Sequence, residues 1–283
     1  MRPPPRPHLR DASSYSRVRS GSVSDPDPLA VIAQLPGVPE AVDEARQAVD
    51  RLYRHRVLRR ASPAVSTESS LRGARASAAI EGADVPLDVL RRDEAHDPLV
   101  QGALRASAEM GRLGSTWRKA PRQVLARLHA VAAAGLAPQE ALGRPRATDD
   151  APDPLALGPS LSAVDTAARM EGLLSLLSNP TKAPAIVLAA VVHAELAVLR
   201  PFGTADGIVA RAAGRLTLVE YGLDPKSLVA VEVGHLELPY AEALRAYLGG
   251  SPEGVAAWVQ HCASAVTLGV RETTAICEAM QRG

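Results

Sequence analysis

The stretch from Arg200 to Arg211 reads Arg-Pro-Phe-Gly-Thr-Ala-Asp-Gly-Ile-Val-Ala-Arg and joins two Ala-rich helical patterns. A helix, a Gly-containing loop and a second helix leave unpaired backbone N–H groups around the second helix's N-terminus, which is the geometry of an anion site. Alone this signal is weak, because most such turns bind nothing. The stretch also holds the only Phe of the chain. Upstream, Ser77-Ala78-Ala79-Ile80-Glu81-Gly82 ends another helical pattern. Gly82 can close that helix in a left-handed conformation. Glu81 opposes the helix dipole, which favours cations at a C-terminus, so a partner elsewhere should hold it.

Other candidate groups make no recognisable site. His193 lies two helical turns before Arg200 and reads as a packed, hydrogen-bonded helix histidine rather than a relocated base. His129 and His235 match no ligand spacing, and seven histidines scattered along the chain predict no metal centre. Cys262 and Cys277 sit at helical spacing in the last segment and read as buried thiols in a reducing compartment.

The elements that must position the loop are helical. An apolar stripe from Val38 through Tyr53 marks one helix, and the basic run Arg51, Arg54, His55, Arg56, Arg59, Arg60 continues it as a solvated face. Helical patterns follow over 66–82, 99–117, 121–134, 160–177 and 183–199, the last with little polar surface and so predicted to be central. Residues 143–158 carry turn residues every few positions and read as an exposed loop or short hairpin. Helices resume over 205–221 and 239–248 and again after Ser251-Pro252-Glu253, with no strand ladder or internal repeat.

With 283 residues and 46% hydrophobic composition the chain can bury a large core. No run of about 18 apolar residues predicts a membrane span, and the N-terminus Met-Arg-Pro-Pro-Pro lacks a secretory core, so a cytoplasmic location is expected. A formal charge of +1 disfavours a general nucleic-acid footprint. Residues 1–28 are rich in Pro, Arg and Ser and read as a disordered tail.

Position for position, Arg200–Arg211 resembles the signature HPFxxGNGRxxR of the Fic (filamentation induced by cyclic AMP) family. Ala189–His193 running into Leu199–Phe202 resembles that family's central helix, and Gly143 with Arg146 its substrate-docking flap. Leu174–Leu177 resembles the helix after the flap; Tyr240, Ala243, Leu244 and Trp258 resemble its C-terminal part. Ser77–Gly82 matches the inhibitory motif, a Ser or Thr followed four residues later by Glu and then Gly or Asn. The resemblance spans roughly residues 35–270, with two independent motifs in the right order. It implies a mainly α, Fic-like helical domain over 121–283 with a short flap hairpin, preceded by an N-terminal helical region over 29–120 that contains the inhibitory helix, 66–82.

Members of that family mostly transfer AMP from ATP to a hydroxyl of a target protein. The resemblance puts the general base at Arg200, which cannot accept a proton, and the magnesium carboxylate at Thr204, a neutral hydroxyl. The first Gly of the phosphate nest is Ala205, its Asn is Asp206, which repels phosphate, and the first phosphate-binding Arg is Ile208. Pro201, Phe202, Gly207 and Arg211 are retained, and Glu81 with Ser77 is placed to hold Arg211.

The implied reading is a degenerate Fic domain without AMP transfer. It would need no cofactor or metal and act as a binding or regulatory module for an unidentified protein partner, alone or as a homodimer. The alternative is a divergent nucleotidyltransferase using ATP and Mg²⁺, with Arg200 as an electrophile. A DNA-associated regulator built on the Arg51–Arg60 run is disfavoured by the near-neutral charge. The loop is expected to be filled by Arg200, Asp206, Arg211 and Glu81 paired among themselves.

Overall fold

The computed structural model describes residues 27–282, so the tail expected over 1–28 lies outside the described residues apart from Asp27 and Pro28, which open the first helix. Twelve α-helices and no strand occur among the described residues, as a mainly α reading requires. They are α1 (Pro28–Ile32), α2 (Val38–Tyr53), α3 (Leu58–Ile80), α4 (Leu87–Arg91), α5 (Pro98–Trp117) and α6 (Pro121–Ala132). After the flap come α7 (Ala163–Ser178), α8 (Ala185–Leu199), α9 (Asp206–Glu220), α10 (Val231–Glu237), α11 (Tyr240–Leu248) and α12 (Pro252–Arg282). None of them is long and apolar enough to cross a membrane.

Helix α8 is the centre. Every residue from Ile186 to Leu199 is buried, as its nearly unbroken apolar composition dictates. The two tryptophans tie neighbouring helices together through satisfied indole N–H groups. Trp258 of α12 donates to the Ala190 carbonyl of α8 at 2.8 Å, and Trp117 of α5 donates to Thr217 Oγ1 of α9 at 3.1 Å. Core residues from Leu29 to Cys277 form one cluster, so the helices holding Glu81 and those holding the loop share a single interior.

Two expectations about elements are corrected, and one helix goes unpredicted. The α2 pattern does not continue through Arg60. Tyr53 ends the helix because its hydroxyl donates to Asp224 at 2.7 Å and accepts from the Lys226 N–H at 3.0 Å, and the chain turns before α3. The inhibitory-motif helix is correspondingly longer than 66–82, running from Leu58 with a kink at Ala61 just before Pro63.

The flap is not a hairpin. Residues 142–162 carry no strand, because Pro145, Pro152, Pro154 and Pro159 remove ladder donors and side chains take the backbone groups instead. Asp153 accepts from the Leu157 and Gly158 N–H groups at 2.9 and 2.8 Å. The unpredicted helix is α10, seven residues with Gly234 among them that show no periodic signal. Packing demands that glycine: a Cβ there would lie 2.2 Å from the Ala265 carbonyl oxygen of α12.

Candidate functional site

The loop between α8 and α9 turns through three positive-φ residues, Arg200 (48°), Gly203 (74°) and Ala205 (53°). Arg200 caps α8 in the left-handed conformation, and Ala205 precedes α9 in the same region. Neither is a glycine, so each bears the steric penalty of a Cβ against the following carbonyl. Asp206 closes the turn from within, its carboxylate accepting from the Phe202 N–H at 2.9 Å. Burial pushes the Asp206 carboxyl up to about 7, against the opposing pull of the Phe202 and Gly203 N–H groups. Phe202 stacks on His129 of α6 with ring centroids 4.2 Å apart and planes 7° from parallel. His129 Nδ1 in turn accepts from the Gly143 N–H at the start of the flap at 2.9 Å.

At the far end of the stretch Arg211 is buried inside α9 and paired with α3. Its Nη2 meets Glu81 Oε1 at 2.7 Å and the Ser77 carbonyl oxygen at 3.0 Å, while Nε donates to Ser77 Oγ at 2.8 Å. The misplaced helix-end glutamate thus has its cation. It also sits over the N-terminus of α9: a Cβ on Gly207 would lie 2.0 Å from Glu81 Oε1. The Glu81 carboxylate therefore occupies the concave backbone where the N-terminal dipole of α9 favours negative charge.

Arg200 behaves differently from the expectation that all four charged groups pair within the loop. Its guanidinium reaches out to the flap, donating to the Gly158 carbonyl at 2.8 Å and lying 3.4 Å from both the Pro152 carbonyl oxygen and Asp153 Oδ1. Asp206 pairs with backbone N–H groups, so only Glu81 and Arg211 pair with each other. The reason is direction. A residue in the left-handed cap of α8 leaves the helix axis toward the flap, whereas Arg211, a turn and a half into α9, faces α3.

Between loop and flap lies a cavity of about 600 Å³. Leu99, Leu136, Leu155 and Leu157 supply apolar wall, and Glu81, Asp153, Asp206 and Arg200 supply charge. Thr204 and Gly207 also line it, but Ile208 is buried in the core. The fixed charge facing the cavity is mainly negative, and its cation is already bonded to the flap.

Arg146, which only the resemblance singles out, and Asp153, which nothing in the sequence singles out, fasten this site. Arg146 Nε donates to the Arg200 carbonyl at 3.0 Å, its backbone N–H to the Pro201 carbonyl at 2.9 Å, and its Nη2 to Leu161 O and Thr166 Oγ1 at 2.7 Å. Asp153 both folds the flap and holds Arg200. Arg146 bonds mostly to backbone carbonyls and Asp153 mostly to backbone N–H groups, which no side-chain pattern announces.

No protein-family model matches this sequence, and no curated protein matches it. Solved structures do. One is a Fic family protein from Desulfovibrio desulfuricans G20, with a TM-score of 0.68 and 19% identity, covering 83% of this chain and 74% of that one. Another is a piece of Fic-1 from C. elegans, residues 134–508, with a TM-score of 0.65 and 16% identity, covering 86% and 73%. At these identities the likeness shows the fold: this chain has a Fic-like helical fold.

Proposed function

We propose that this protein is a Fic-fold binding or regulatory module without AMP-transferase activity. One observation carries the reading. Arg200, where the resemblance puts the proton acceptor, is a buried guanidinium bonded to the flap, and a guanidinium does not accept a proton at any physiological pH. General-base assistance typically contributes 10²–10⁴-fold to such a step; the imidazole beside the loop, His129, is stacked on Phe202 with Nδ1 bonded to the Gly143 N–H, and the Asp206 carboxylate is bonded to the Phe202 N–H. The donor set does not fit ATP with Mg²⁺ either. Thr204 is neutral, Glu81 fills the anion cradle over Gly207, and Arg211 is committed to Glu81. The remaining apolar-walled cavity suits a partner's side chain or a small neutral ligand better than a triphosphate.

The test is incubation of the protein and its Glu81→Gly variant with labelled ATP, Mg²⁺ and cell lysate. No label above background is expected on any protein. Mg²⁺-dependent labelling that disappears in Arg211→Ala would overturn the reading.

A second reading, a divergent nucleotidyltransferase, is favoured by the cavity itself, since it still opens onto Thr204–Gly207. Positioning and preorganised charge supply much of the catalysis of phosphoryl transfer. Calorimetry with ATP and Glu81→Gly protein separates the two, because saturable binding supports this reading and its absence removes it.

A further inference from the structure

Away from the loop, three helices bring two imidazoles and a thiol to one point. One donor atom each of His193 (α8), His235 (α10) and Cys262 (α12) lies within 4.8 Å of the others, and all three residues are buried. In the sequence they are far apart, which is why spacing predicts no centre.

The rings are already held by second partners. His193 Nε2 is 2.7 Å from the Tyr240 hydroxyl, leaving Nδ1, and His235 Nδ1 is 3.1 Å from His261 Nε2, leaving Nε2. Histidines that bind metals characteristically use one nitrogen for the ion and the other for such a bond, which fixes tautomer and orientation. His193 Nδ1 faces Gly214, where a Cβ would come to 3.4 Å from it. His193, Gly214, His235 and Cys262 line one small internal void of about 20 Å³, large enough for a single atom-sized guest.

We propose that His193, His235 and Cys262 form a buried three-coordinate site for a soft monovalent ion, Cu(I). Thiolate and imidazole together suit soft d¹⁰ ions. The number of donors and the charge balance choose among them. A void of this size has no room for a bound water as fourth ligand, which Zn²⁺ needs to complete a tetrahedron.

Arg211 and Arg215 also face the void, but each is neutralised, by Glu81 and Glu232 respectively. On binding, the Cys262 thiol gives its proton to solvent and the Cu(I)–thiolate unit is neutral overall, whereas Zn²⁺ would leave a buried positive charge. Bond lengths of about 2.0–2.3 Å put donors about 3.7 Å apart around a trigonal ion, so the site contracts by about 1 Å from its present spread.

The experiment uses the full chain, reduced and free of oxygen, against the coloured complex of Cu(I) with bicinchoninate. It is run on native protein and on protein refolded from urea with the complex present, so that burial does not block entry. Loss of colour reports Cu(I) withdrawn. One equivalent per chain is expected in at least one arm, unchanged in Cys277→Ser and absent in Cys262→Ser. Tyr240→Phe, which keeps the ring and removes the hydroxyl that meets His193 Nε2, should weaken binding by about 10-fold, and it carries the test if Cys262→Ser does not fold. No withdrawal in either arm overturns the proposal, as does withdrawal unaffected by Cys262→Ser or by Tyr240→Phe. Uptake of Zn²⁺ in preference to Cu(I) overturns the choice of ion.

Discussion

Arg200 and Arg211 stand at the two ends of one sequence stretch, both buried, and are neutralised in different ways. Arg211 meets a carboxylate at 2.7 Å and a serine from the same rigid helix, α3. Arg200 meets mainly carbonyl oxygens of a strandless flap, with its nearest carboxylate at 3.4 Å. Two guanidiniums in one signature thus split into a strut between helices and a latch onto a loop. The difference lies in the stiffness of what presents the acceptors. Glu81 is presented by the cap of a 23-residue helix, while the flap can carry Asp153 away at the expense of a few hydrogen bonds.

The largest effect follows from removing the strut. Arg211→Met leaves Glu81 buried without its cation and is expected to destabilise the fold by about 3–5 kcal/mol, read as a lowered urea midpoint at unchanged slope. Arg200→Met removes bonds made mostly to carbonyls, and its cost is expected to be about 1–2 kcal/mol. Equal losses for the two variants would erase the distinction between strut and latch.

Next is the cradle over α9. Gly207→Ala drives a Cβ into the Glu81 carboxylate, and overpacking of this kind costs about 1–3 kcal/mol. In a Glu81→Gly background the same change meets only Arg211 Nη1, at 3.2 Å, and should cost much less. A double-mutant cycle therefore should give a coupling of about 2 kcal/mol. Additive effects would mean that Glu81 does not rest on Gly207 in solution.

What the sequence made legible divides along the same line. The helices and the central place of α8 follow from periodicity, and the need of Glu81 for a partner follows from a charge in the wrong place on a dipole, while Arg211 as that partner is implied by the resemblance alone. The flap contacts follow from neither periodicity nor the dipole, because Arg146 and Arg200 bond to backbone carbonyls whose direction depends on loop geometry. The expected hairpin fails for the same reason, since prolines and the Asp153 side chain replace ladder pairing. Helix α10 escapes because its Gly234 breaks the local pattern for the sake of a contact with α12, and the meeting of His193, His235 and Cys262 depends on that same contact.

Asp206 sharpens the comparison through pH, because neither arginine titrates. Its folded pKa of about 7 lies above the ordinary 3.8. The stability it contributes is therefore complete below 3.8 and is lost as pH rises to 7. Asp206→Asn keeps an oxygen that accepts from the Phe202 N–H and has no charge to bury. The variant should gain on the wild type progressively from pH 4 to 7 and hold a constant advantage above. Paired urea titrations across that range check it. A pH-independent difference would show that the carboxylate is not desolvated in the turn.

The smallest effect concerns the strain between latch and strut. Ala205 holds φ at 53° at the entrance to α9, a conformation that costs a non-glycine residue about 1–2 kcal/mol. Ala205→Gly removes that strain, but glycine also raises the entropy of the unfolded chain by about 0.4–1 kcal/mol, so the net gain is expected to be about 0.5–1 kcal/mol. Part of that gain should vanish when Asp206 is changed to Ala in the same protein, because its bond to the Phe202 N–H is what forces the turn through Ala205. If Ala205→Gly instead destabilises the protein with Asp206 present, the loop relaxes by another route and the left-handed entry to α9 does not set its shape.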